Sequence, residues 1–172
     1  MQVLLEQQRF EQALDDLAER IRRDVPAGKS VALVGVLSRG DALARRLADK
    51  LRKAGLNQLQ IGTLDITMYR DDLATKGPEA VIRSTDIPFD VTGQYIVLVD
   101  DVLYTGRTSR AALDALTDLG RPLAIRLAVL VERPGRQMPI HADYVGLRLD
   151  RQNGNVRVLL RETDGQDRVE VD

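Results

Sequence analysis

The chain has 172 residues, of which 44% are hydrophobic and 30% charged, with a net charge of -1. This length suits one domain with a proper core, and the charge balance argues against a disordered chain or a nucleic-acid-binding tail. Cysteine is absent, which excludes disulfides and thiolate chemistry and is compatible with a reducing cytosol.

No apolar run reaches membrane-spanning length, and the N-terminal MQVLLEQQRF lacks a basic segment before an apolar core. The chain therefore reads as soluble and cytoplasmic. Phe10, Leu14, Leu17 and Ile21 recur at helical spacing and predict an amphipathic helix over residues 6–24, ended by Pro26-Ala27-Gly28. Val31 to Val36 is wholly apolar and predicts a buried strand that opens into the polar turn Leu37-Ser38-Arg39-Gly40. A helix with Leu43, Leu47 and Leu51 on one face follows and closes at Ala54-Gly55. Leu59 to Met68 predicts a strand, followed by Tyr69, Arg70, Asp71 and Asp72, the polar stretch Ala74 to Glu79, and a return strand over Val81 to Ile87. So long a connection reads as a lid, with a plain β-hairpin excursion as the alternative.

Tyr95 to Val99 is a second unbroken apolar run and predicts the central parallel strand. Two carboxylates, Asp100 and Asp101, stand at its end. After the loop Leu103 to Thr108, Ala111, Ala112, Leu113, Ala115, Leu116 and Leu119 mark a helix that stops at Gly120. Ile125 to Val131 predicts another strand, and Glu132 to Asp143, with Pro134, Gly135 and Pro139, is irregular. Val156 to Glu162 and Arg168 to Val171 flank a turn at Asp164-Gly165 and predict a hairpin. Strands separated by helices predict an α/β fold: a central, mostly parallel sheet flanked by helices, with a small C-terminal cap, or hood. One domain over residues 1–172 is expected, with its core over about 6–131 and its hood over about 132–172.

The order strand, acidic pair, Gly- and hydroxyl-rich loop, helix start carries the chemistry. Ligands of open α/β sheets bind off the carboxyl ends of strands, and a helix N-terminus attracts an anion such as phosphate. Gly106 allows close backbone approach, and Thr105, Thr108 and Ser109 add hydroxyl donors. Carboxylates repel phosphate, so the pair Asp100 and Asp101 asks for a ligand that also offers hydroxyls or a metal. A sugar phosphate fits. The bland alternative is a capped helix behind two solvated aspartates. The turn Ser38-Arg39-Gly40 repeats the pattern with a guanidinium beside close-approach backbone, where a lone S-R-G would ordinarily be a plain turn.

VLVDDVLYTGRT resembles the phosphoribosyl-pyrophosphate (PRPP) motif of type I phosphoribosyltransferases. It differs from a Walker A loop because Asp101 stands where that motif has its first Gly. The resemblance assigns Val99, Asp100, Asp101, Val102, Leu103, Tyr104, Thr105, Gly106, Arg107 and Thr108 to PRPP and its 5′-phosphate, and Ser38, Arg39 and Gly40 to the pyrophosphate loop. DITMYRDDL is similar to the flexible-loop start of the PyrR family, D-I-T-L-Y-R-D-D-L, which covers Tyr69, Arg70, Asp71 and Asp72. Arg70 is then expected to meet the leaving pyrophosphate, or otherwise to pair with Asp71 or Asp72. IPFDVTGQYIVLVDDVLYTGRT and DALTDLGRPLAIRLAVLVER extend the likeness to about residues 32–145. PyrR proteins are pyrimidine-operon attenuation regulators that are also uracil phosphoribosyltransferases.

The resemblance implies that uracil and PRPP give UMP and pyrophosphate, with Asp100, Asp101, Arg39 and Arg70 as the catalytic set. Mg2+ is expected to arrive with PRPP, since no Asp/Glu/His cluster reads as a dedicated metal site. Tyr144 would cover the uracil ring, the backbone of Val145 would read its edge, and Arg133 would approach a carbonyl oxygen. A homodimer or higher homo-oligomer is implied.

Other positions depart from the family. Asp15, Asp16 and Glu19 stand on a helix that is weakly basic in PyrR proteins. Glu132-Arg133-Pro134-Gly135-Arg136-Gln137-Met138-Pro139 loses a His, and Leu147 replaces a Lys. Affinity for RNA rests on cations, so these changes oppose binding of a messenger-RNA leader, while Arg136, Arg148, Arg151 and Arg157 offer a substitute patch. Three readings stay open: a uracil transferase, a UMP-responsive RNA-binding regulator, and a transferase for another base.

Overall fold

The computed structural model describes residues 1–72, 85–150 and 154–172. Its core is a five-stranded sheet of β2 (Val31–Val36), β3 (Leu59–Leu64), β4 (Tyr95–Leu103), β5 (Ala124–Glu132) and β6 (Tyr144–Arg148), in the order β3-β2-β4-β5-β6. Every neighbouring pair is parallel. Parallel strands need crossover connections, and helices supply those from β2 to β3 and from β4 to β5, while residues 133–143 join β5 to β6 without one. That is the expected mostly parallel α/β fold.

The period of two along each strand sends side chains to two separate cores. On one face, α1 (Gln7–Asp24) and α2 (Gly40–Lys53) bury Phe10, Leu14, Leu17, Ile21, Leu43, Leu47 and Leu51 against Val31, Leu33, Tyr95, Val97 and Val99. Each large side chain buried this way contributes about 1.5–3 kcal/mol relative to exposure. On the other face, α3 (Arg107–Leu119) lays Ala111, Ala112, Ala115 and Leu116 on Ala32, Val34, Ile96 and Leu98. Its mostly alanine contact lets this helix lie close to the strand that feeds it. Among the described residues no helix is long and apolar enough to cross a membrane.

A second sheet holds the hood. β7 (Val156–Leu159) and β8 (Arg168–Val171) pair antiparallel, joined by a helical turn, α4 (Arg161–Asp164). β1 (Gln2–Leu5) adds to the free edge of β8, giving the order β1-β8-β7.

Several expected boundaries move. The strand from Leu59 stops at Leu64 rather than Met68, because Asp65 accepts the N–H of Thr67 at 2.9 Å and its hydroxyl at 2.6 Å and turns the chain into a 3-10 turn at Thr67–Tyr69. The central strand runs past Val99 to Leu103, held by pairing of Asp100 with Val129 and Leu103 with Glu132. Of the expected return strand, residues 81–84 lie outside the described residues, as does the stretch 74–79. Asp86 makes an antiparallel bridge to Thr63. β1 and β6 were not foreseen. β6 belongs to the core sheet and β1 to the hood sheet, so the two sheets do not divide at residue 132.

Candidate active site at the carboxyl ends of β2 and β4

The chain runs from β2 outward to β3 and then crosses back to β4 on the other side of β2. Strand order reverses between β2 and β4, and the crevice outside their carboxyl ends is where such sheets bind ligands. Two turns open there, Leu37 to Gly40 after β2 and Tyr104 to Gly106 after β4.

The first turn nests on the end of β4. A Cβ on Gly40 would lie 2.4 Å from the carbonyl oxygen of Val99, and one on Gly35 would lie 2.4 Å from Asp41 Cα. Only glycine permits both approaches. Between them the Leu37–Ser38 peptide is cis, and Arg39 has φ 80, the sole positive value at a non-glycine among the described residues. The expected neighbours, Ser38-Arg39-Gly40 and the Asp100 loop, are thus brought together. The Arg39 side chain does not point freely into the crevice, however. Its Nε donates to the Val158 carbonyl at 2.8 Å, and its Nη2 reaches Asp164 at 3.4 Å. The anion contact expected of this guanidinium is therefore partly given up to the hood, and the amides of the turn remain as donors.

Asp100 is 6% exposed, while Asp101 stays partly open. Asp100 Oδ1 accepts the N–H of Asp101 and Asp101 Oδ1 that of Val102, each at 2.8 Å. Burial and the neighbouring Asp101 carboxylate push the Asp100 pKa well above the ordinary carboxylate range. Burial also raises Asp101, against the pull of its hydrogen bonds and of the Arg39 charge. Two close carboxylates that resist ionising together suit a ligand bringing hydroxyl donors or positive charge.

Gly106, at φ 89, begins α3, and Thr105 Oγ1 accepts the Arg107 N–H at 3.2 Å. The Thr105 carbonyl takes the N–H groups of Gln137 and Met138 at 2.8 and 3.0 Å, so the loop is braced from outside. The first amides of α3 have no acceptor within the helix, an arrangement that attracts anions. Beside it lies a pocket of about 230 Å³ lined by Arg70, Asp71, Asp72, Thr105, Arg107 and Thr108. The start of the segment after β3 thus rests on the loop after β4. Asp71 pairs with Arg107 Nη1 at 2.6 Å, and Tyr69 donates to Asp118 at 2.8 Å. Arg70 forms a two-pronged ion pair with Asp72, both contacts at 2.8 Å, which was the plainer of its two expected roles. A separate pocket of about 300 Å³ near His141 and Asp143 is lined by the buried Ser109, expected as a loop hydroxyl donor, and by none of the other expected site residues.

The uracil assignments fare unevenly. Arg133 is at the site. It is 8% exposed, its guanidinium lies 4.2 Å from the Tyr104 ring centroid, and Nη2 donates to the Gly154 carbonyl at 2.8 Å. Among the described residues its buried Nε has no partner. Tyr144 is not brought in. It pairs with Ala128 at the amino end of β6, is 2% exposed in the α1 core, and donates its hydroxyl to Asp24 at 2.8 Å. The carbonyl of Val145 accepts Arg20 Nη1 at 3.0 Å. Sequence reasoning missed Glu132, which ends β5 beside the loop and pairs with Arg136 and Arg148, each at 2.7 Å.

The family model described as "Phosphoribosyl transferase domain" matches residues 2–162. Similar proteins named "Bifunctional protein PyrR" include one from Thermus aquaticus, 51% identical over 92% of this chain and 88% of that protein. One from Deinococcus radiodurans is 48% identical, covering 98% and 92%. The fold is shared with the hypoxanthine phosphoribosyltransferase of Trypanosoma cruzi, with a TM-score of 0.75 at 18% identity over 99% of this chain and 95% of that one. A family model matched over most of the chain, with PyrR relatives of near full length on this fold, makes the chain a phosphoribosyltransferase and a member of the PyrR family.

Proposed function

We propose that the chain transfers the phosphoribosyl group of PRPP to uracil, giving UMP and pyrophosphate. The observation that carries this is the meeting of Ser38-Arg39-Gly40 with the Asp100–Thr108 loop across the β2–β4 crevice, which provides two separate anion cradles with a carboxylate pair between them. PRPP has that outline, a 5′-phosphate at one end, a pyrophosphate at the other and ribose hydroxyls between. The near full-length PyrR relatives support uracil as the base.

In the reaction the bond from ribose C1 to the pyrophosphate oxygen breaks, its electron pair leaving with pyrophosphate, and a bond from C1 to a uracil nitrogen forms as that nitrogen releases its proton to solvent. The intermediate geometry is oxocarbenium-like, so no protein nucleophile is required. The α3 amides with Thr105 and Thr108 grip the 5′-phosphate, and the turn amides at Ser38 to Gly40 receive the pyrophosphate. Asp100 and Asp101 accept the ribose hydroxyls and lie beside the positive charge that develops at C1. Among the described residues no three His, Cys, Asp or Glu side chains gather as a cage. A carboxylate pair fits Mg2+ carried in by PRPP, with Asp100 and Asp101 as its protein partners, and such an ion would neutralise the departing pyrophosphate. Arg133, whose Nε has no partner among the described residues and whose guanidinium lies over Tyr104, is the side chain best suited to a uracil carbonyl. Arg70 takes up the pyrophosphate when it exchanges Asp72 for the substrate. The cytoplasm and a homo-oligomeric state follow from the same reading.

The word "Bifunctional" in the relatives' name supports a second reading, a UMP-responsive regulator that binds a messenger-RNA leader. The ion pairs weigh against it as the main role. Arg136 and Arg148 are engaged by Glu132, Arg157 by Glu170, and Arg22 and Arg23 by Glu19. Arg151 lies outside the described residues.

The test is UMP formation from uracil, PRPP and Mg2+, with hypoxanthine and orotate as competing bases. Wild type is expected to use uracil, and Asp101→Asn to lose about a hundredfold in rate. UMP binding without turnover of any base would sink the transferase reading and bring the regulator forward, to be measured as a salt-dependent shift of leader RNA.

A further inference from the structure

α2 grips the hood at two points, and one of them is the pyrophosphate turn itself. Arg39, at the start of α2, holds its strained backbone while its side chain binds the Val158 carbonyl and Asp164. Such a conformation persists only where its surroundings over-determine it. Asp164 is in turn fixed by the N–H of Leu160 at 2.8 Å and the hydroxyl of Thr163 at 3.0 Å.

Two turns along the same helix, Arg46 is 7% exposed. Its Nε and Nη2 take both oxygens of Glu162 at 2.7 and 2.5 Å, and its Nη1 and Nη2 take both oxygens of Asp167 at 3.0 and 2.7 Å. Asp167 also accepts the Arg161 N–H at 2.9 Å. All three guanidinium nitrogens are thus spent on the two carboxylates that bracket Asp164 in sequence. The planar fork fits two bidentate partners, which a lysine could not match.

We infer that Arg46 is a positioning residue for the pyrophosphate turn. By docking residues 160–167 on α2 it fixes Asp164 and the Val158 carbonyl, which hold Arg39 and with it the Ser38–Gly40 amides. This rests on the reading of that turn as the pyrophosphate site. A replacement at Arg46 should therefore be felt by ligands carrying pyrophosphate, and not by UMP, which uses the 5′-phosphate loop.

The experiment measures binding of PRPP, pyrophosphate and UMP, with Mg2+ present, by titration calorimetry of the whole chain, alongside thermal melting. Arg46→Lys keeps the charge and loses the fork, and Glu162→Gln removes one partner at a more exposed position in case the first variant folds poorly. PRPP and pyrophosphate are expected to weaken about tenfold in both, with UMP unchanged. A lowered melting temperature with all three affinities unchanged, or all three weakened alike, would overturn the inference. A wild type that binds PRPP and pyrophosphate but leaves uracil untouched would sink the base assignment and leave Arg46 in its role. A wild type that binds neither would overturn both.

Discussion

Asp100 is buried beside a second carboxylate, and both facts favour its protonated form. A carboxyl whose folded pKa exceeds its ordinary 3.8 holds a proton in the folded state that the unfolded chain has already released. Stability then falls as pH rises through the window from 3.8 up to the raised value, and stays reduced above it. Asparagine carries no such cost. Asp100→Asn is therefore expected to melt higher than wild type at pH 7, by about 2–4 °C for each kcal/mol relieved, and to converge with it near pH 3. It should also lose about a hundredfold in UMP formation, because the amide cannot offset positive charge at C1. A variant that melts lower than wild type at pH 7 would show that Asp100 is ionised and well paired in the free protein. The same pair should give wild type an acid limb in its rate profile at higher pH than an ordinary aspartate would.

At the scale of the element, the site depends on how closely a turn lies on a strand. A Cβ at position 40 would meet the Val99 carbonyl oxygen at 2.4 Å and Asp100 Cα at 3.2 Å, and the obstructing atoms are backbone that cannot swing away. Gly40→Ala must lift the turn from Ser38 to Gly40, costing about 1–3 kcal/mol. The expected outcome is a raised KM for PRPP and a lower melting temperature with UMP affinity nearly unchanged; an unaltered KM for PRPP would mean that the turn does not contact the substrate. The strands that carry this geometry were legible because β2 and the first half of β4 are unbroken apolar runs, as burial on both faces requires. β6 was not, since its sequence YVGLR has a glycine at its centre. A Cβ on Gly146 would sit 2.7 Å from the Leu130 carbonyl, so that residue answers to packing against β5 rather than to strand propensity. Arg39 was read correctly as a residue of the turn, but its partner Asp164 lies in the hood, and no local pattern couples positions 125 residues apart.

The whole molecule is closed by a pairing of its two ends that the sequence hides for the same reason. β1 is only four residues long, yet it pairs Gln2 with Val171, Val3 with Glu170 and Leu5 with Val169. Leu5 is 7% exposed and packs in the same core as Val158, Leu160 and Val169. Without β1 the hood sheet is a two-stranded hairpin, which is marginal by itself in water. The core sheet shares that core but depends on β1 less, because α1, α2 and α3 cover β2 and β4 on both faces. Deleting residues 1–5 removes the Leu5 burial, about 1.5–3 kcal/mol, and the ladder bonds to β8. The melting temperature should fall by about 5–10 °C. The loss should also be uneven, with amide exchange faster in β7 and β8 and nearly unchanged in β2 and β4. Since Val158 and Asp164 hold Arg39, the same deletion should weaken pyrophosphate more than UMP. Equal acceleration of exchange in both sheets would mean that hood and core open as one unit, and that the hood cannot loosen around the turn while the loop after β4 stays formed.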